Sequence, residues 1–82
     1  MKSASPFALP AAAAKRMLEI AQPLNQYGWV AIDKLNKAFL ADGGSPAEYG
    51  AGIAKLKADG LVTMHPSGTR LYFTEKGAQR LA

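Results

Sequence analysis

The chain has 82 residues, with 10 Lys and Arg against 6 Asp and Glu, a formal net charge of +4 and no cysteine. That length is one small domain with a thin core, and the lack of Cys excludes disulfide frameworks, zinc knuckles and thiol chemistry. Hydrophobic residues make up 49%, but many are alanine, so few side chains are large enough to fill a core. No apolar run approaches a membrane span, and Lys2 followed by Ser3-Ala4-Ser5-Pro6 lacks the apolar centre of a signal peptide. The expectation is a cytoplasmic domain with no membrane partner, whose basic excess permits a nucleic-acid partner.

Residues 1–9 are small, polar and Pro-containing, and read as a flexible N-terminal arm ahead of a domain over 10–82. From Pro10 the pattern is helical. Pro suits a first turn, Ala11 to Ala14 are the best helix formers, and Met17, Leu18, Ala21 and Leu24 recur at helical spacing. Pro23 ends or kinks this helix, and Tyr27-Gly28 closes the segment with Gly28 suited to a C-terminal cap. Trp29-Val30-Ala31 is a short extended piece. A second helix over Ile32 to Ala41 puts Ile32, Leu35 and Phe39 on one apolar face and Lys34 and Lys37 on the wet face.

After the Asp42-Gly43-Gly44 turn comes the sharpest local signal, Ser45-Pro46-Ala47-Glu48. It is a capping box: a Ser N-cap, Pro at the first helical position and Glu three residues past the cap. The third helix runs to about Asp59, with Tyr49, Ile53 and Leu56 as its apolar stripe and Gly60 as a left-handed cap. Leu61 to His65 and Arg70 to Thr74 read as strands. Between them Pro66 fits the first central position of a type I turn and Gly68 the following left-handed position. Leu71 and Phe73 alternate with Arg70, Tyr72 and Thr74, so one face of the hairpin is apolar. Thr74-Glu75-Lys76-Gly77 starts a last helical turn, with Ala78 and Leu81 packing back. Tyr27 and Trp29 fit packing between the first helix and the hairpin base, with a base-stacking platform as the alternative.

Two stretches carry a family resemblance. Ser45 through Val62, SPAEYGAGIAKLKADGLV, resembles the recognition helix of MarR-type and related bacterial regulators. Those helices end in a Leu, a few polar residues and Gly-Leu-Val, here Leu56-Lys57-Ala58-Asp59-Gly60-Leu61-Val62. Arg70 through Gly77, RLYFTEKG, is similar to the signature of the returning wing strand. The resemblance covers about residues 15–82. It implies an α+β fold, a three-helix winged helix-turn-helix with a C-terminal β-hairpin wing. It also implies double-stranded DNA as partner, with the third helix (45–59) in the major groove and the wing (61–74) on the flanking backbone.

On that template the outward positions of the third helix are Ala47, Glu48, Gly50, Ala51, Ala54 and Lys55, with Lys57 off the groove-facing side. They include no Arg, Asn or Gln, the side chains that contact bases bidentately. The candidate DNA contacts are Lys34 and Lys37 beside the groove; Ser45, Glu48, Ala51 and Lys55 on the third helix; and Ser67, Thr69 and Arg70 on the wing. Six of these nine have a plainer role. Ser45 and Glu48 are a cap, the lysines are a solvated face, and Arg70 is a surface strand residue opposite His65. The wing tip also departs from the family pattern in having no Lys or Arg. Gly50 and Gly52 cost the third helix about 1 kcal/mol each relative to Ala. Tight packing of Gly52 on the second helix is the plainest offset.

There is no P-loop, no dinucleotide fingerprint and no Ser or Lys with an activating neighbour, and the lone His65 does not make a metal site. No enzymatic activity, cofactor or metal is therefore expected. Three readings stay open: a small DNA-binding transcriptional regulator, a winged-helix module for a protein partner, and an accessory domain that binds DNA with little sequence choice. The Ala-rich face of the first helix would allow close packing of a second copy, so a homodimer through that helix is a further expectation.

Overall fold

A computed structural model describes residues 7–25 and 28–81, the last of these by its backbone alone. The expected roles of residues 1–6, of Tyr27 and of the Leu81 side chain lie outside the described residues. The elements in chain order are α1 (Pro10–Leu24), β1 (Trp29–Ala31), α2 (Ile32–Ala41), α3 (Pro46–Ala58), β2 (Val62–Met64), β3 (Arg70–Phe73) and α4 (Glu75–Leu81). Among the described residues this is an α+β arrangement of four helices and one antiparallel three-stranded sheet ordered β1-β3-β2. No described helix is long and apolar enough to cross a membrane.

Helix α1 passes through Pro23 and stops one residue later, where the Asn25 N–H bonds the Gln22 carbonyl. Gly28 is thus not the cap of this helix. It takes φ +83° just ahead of β1. At the hairpin the expected turn is present. The Gly68 N–H donates to the His65 carbonyl at 2.8 Å, and Gly68 has φ +75°. Thr74 leaves the strand to cap α4, its Oγ1 accepting from the Gly77 N–H at 3.0 Å and donating to the Gly60 carbonyl at 2.6 Å.

The core forms between the helices and one face of the sheet. Val30, Val62 and Leu71 from the strands meet Met17 and Ala21 of α1, Leu35 and Phe39 of α2 and Leu56 of α3. Burying each large side chain contributes about 1.5–3 kcal/mol. No polar or charged side chain among the described residues is buried.

Three expectations about packing are corrected. Gly52 packs on α1, not α2: a Cβ there would meet Met17 Sδ and the Ala13 Cβ. Ala13 and Ala14 are accordingly buried inside this chain, so the alanines expected to seat a second copy are already covered. The expected flexible arm ends earlier, because Phe7 is buried with its ring centroid 4.9 Å from that of Phe39. In α4, Ala78 is exposed and Gly77 is buried, set so close to the Leu61 carbonyl that no Cβ fits.

Candidate nucleic-acid interface

Helix α3 starts where its sequence chemistry places it. Ser45 Oγ accepts from the Glu48 N–H at 3.2 Å and Glu48 Oε1 accepts from the Ser45 N–H at 3.0 Å, completing the capping box. The Phe39 ring fills the space a side chain at Gly44 would need, which brings the α2–α3 turn close over the core. Tyr49 Oη donates to the Ile32 carbonyl at 3.2 Å, and burial pushes this phenol up to about 12. Arg16 of α1 binds both carboxylate oxygens of Asp42 and also Glu19. The guanidinium holds the Asp42 carboxyl below its ordinary range, and the two carboxylates raise Arg16. This cation is therefore matched within the chain.

The outer side of α3 is smooth. Ala47, Gly50, Ala51, Ala54 and Ala58 are exposed, with Lys57 beside them. The two lysines of α3 differ in their surroundings. Lys55 is only partly exposed, bonds Asp59 at 3.2 Å and lines a groove with Ala11, Ala14 and Lys15 of α1. It lies three residues after Gly52 and one before Leu56, both turned inward, so it belongs to the flank of the buried face. Lys57 is exposed and forms no ion pair among the described residues. On α2, Lys34 and Lys37 are exposed. Lys37 reaches Asp33 at 3.4 Å with both side chains 76% accessible, a pair weak enough to yield to a phosphate.

At the hairpin tip the hydroxyls are engaged with one another. His65 Nδ1 accepts from the Ser67 N–H at 3.0 Å and lies 2.7 Å from Ser67 Oγ, which is 2.8 Å from Thr69 Oγ1. An accepting Nδ1 puts the proton of the neutral ring on Nε2. Arg70 is exposed, and its guanidinium carbon lies 4.6 Å from the Trp29 ring centroid. Trp29 thus pairs with the hairpin on the side away from the core. The cause is the period of two: Val30 takes the buried side, which turns Trp29 outward.

The expected site residues fall on three elements: Lys34 and Lys37 on α2; Ser45, Glu48, Ala51 and Lys55 on or capping α3; Ser67, Thr69 and Arg70 on the hairpin. Of these, Glu48 and Lys55 are committed to partners on their own helix. Sequence reasoning missed the outward placement of Trp29 beside Arg70 and Tyr72, although the period of two had already turned Arg70 and Tyr72 to one side. Among the described residues no group of three His, Asp or Glu stands close enough to hold a metal ion. Comparison with family models, characterised proteins and solved structures finds no match to this chain.

Proposed function

We propose that the chain is a small winged helix-turn-helix domain that binds duplex DNA. Helix α3 enters the major groove and the β2–β3 hairpin lies on the flanking backbone. The observation that carries this reading is the chain order α1-β1-α2-α3-β2-β3 with β3 paired between β1 and β2. In that order a helix with an open outer face is followed directly by a hairpin. A groove about 12 Å wide admits one such helix. Lys34 and Lys37 of α2, Lys57 of α3 and Arg70 of β3 are exposed cations, and they supply phosphate contacts.

The outer face of α3 has no group that makes a bidentate base contact, so affinity in this reading comes from the backbone and sequence choice is weak. This favours a nucleoid-associated or accessory DNA-binding role over a strongly sequence-selective regulator. A dimer would use the outward side of α1, where Ala11, Lys15 and Gln22 are exposed. One observation favours a second reading, a module for a protein partner: Ala47, Ala51, Ala54 and Ala58 form a face without donors or acceptors.

The test is a fluorescence-anisotropy titration of a short random-sequence duplex at low salt. Binding is expected, and Lys34→Ala combined with Lys57→Ala weakens it. No binding at low salt refutes the DNA reading and leaves the protein-partner module.

A further inference from the structure

The sheet has a face turned away from the core. Val30, Leu71 and Val62 point inward, so Trp29, Ala31, Arg70, Tyr72, Thr63 and His65 point outward. The register sets Trp29 beside Tyr72, Tyr72 beside Thr63, and Ala31 beside Arg70. Arg70 in turn pairs with His65, whose N–H donates to the Arg70 carbonyl at 2.9 Å. Two diagonal contacts join these rows. The Arg70 guanidinium lies 4.6 Å from the Trp29 ring centroid, and the His65 ring lies 5.9 Å from that of Tyr72. Arg70 is exposed, and Trp29, Tyr72 and His65 each keep part of their surface open. The three strands carry no Asp or Glu.

Planar rings with a cation among them and no carboxylate match unpaired nucleobases. Bases stack on aromatic rings and on guanidinium planes, and their phosphodiesters require positive charge. A duplex keeps its base faces stacked inside, so it makes no use of the rings of this strip. An acidic peptide would pair with Arg70 and leave the rings unused. We propose that the outer face of the β1-β3-β2 sheet binds a short segment of single-stranded DNA, with bases stacked on Tyr72 and on the Trp29–Arg70 pair. The site lies apart from the outer face of α3 and shares Arg70 alone with the duplex reading, on which it does not depend. The strand assigned is DNA, and an RNA strand is the alternative outcome that oligo-U tests.

Trp29 is the single tryptophan of the chain, so its emission reports on this face directly. The probe is an oligo-dT strand of about 12 nucleotides, within the span one small domain covers. Saturable quenching is expected. Tyr72→Thr, which keeps a good strand former, lowers the affinity about tenfold, while Tyr72→Phe retains it. Thr63→Glu, at an exposed edge-strand position, puts a carboxylate beside Tyr72 and weakens binding with the ring set intact. Circular dichroism verifies the fold of each variant, and the duplex affinity of Tyr72→Thr stays at the wild-type value. Inorganic polyphosphate and polyglutamate, which carry charge without bases, do not quench. The proposal is overturned if oligo-dT fails to quench, if either polyanion quenches equally, or if folded Tyr72→Thr and Thr63→Glu both bind oligo-dT as wild type does. Tighter binding of oligo-U than of oligo-dT overturns the assignment to DNA.

Discussion

Gly50 and Gly52 sit two residues apart on α3, yet their surroundings are opposite. A methyl group at Gly50 would meet nothing within 4 Å, whereas one at Gly52 would stand 2.5 Å from Met17 Sδ and 3.2 Å from the Ala13 Cβ. Both residues weaken a helix interior by about the same amount. At Gly52 the loss is offset by the close approach of α1 and α3. At Gly50 no contact within the chain offsets it. The comparison separates a face built for packing from a face kept smooth toward the outside, and only the second is available to a partner.

The largest expected effect comes from a third crowded glycine. Gly77→Ala drives a Cβ into the backbone carbonyl of Leu61, an atom that cannot rotate aside. Denaturant titration should show a loss of about 3 kcal/mol, the upper end for overpacking. Ser45→Ala removes the oxygen that caps Glu48 N–H and should lose about 1 kcal/mol by the same measurement. Gly52→Ala probes the packed face of α3. Its gain in helix propensity, about 1 kcal/mol, is outweighed by crowding against fully buried Met17, for a net loss of roughly 1 kcal/mol. Gly50→Ala should do the reverse and gain about 0.5–1 kcal/mol, read as a higher thermal midpoint. If both substitutions shifted stability in the same direction, the two faces would not differ as described. The smallest stability effect belongs to Ala51→Glu, within about 0.5 kcal/mol because the site is exposed. The same variant should weaken duplex binding by placing a carboxylate against phosphate.

What the sequence could reveal followed the range of the interaction. The α3 cap was legible because Ser45, Pro46 and Glu48 settle it among themselves. The hairpin turn was legible for the same reason, through Pro66 and Gly68. Which helix Gly52 would meet was not, because either α1 or α2 offered a small or apolar surface and only the assembled core decides. Phe7 was hidden in a stretch of arm-like composition, and its partner Phe39 lies 32 positions away. Lys55 falls on the flank of the buried face because single helical steps of about 100° separate it from exposed Ala54 on one side and buried Leu56 on the other. Trp29 was misplaced because a strand of three residues, Trp29–Ala31, offers little alternation to read.

Duplex binding is tested most directly by the salt dependence of affinity for a random-sequence duplex. With phosphate contacts from Lys34, Lys37, Lys57 and Arg70, about four in all, the slope of log K against log salt should be near −3.6, and Lys57→Ala should reduce its magnitude by about one unit. A slope near zero, or a slope that Lys57→Ala leaves unchanged, would contradict the placement of α3 and the hairpin on the DNA backbone.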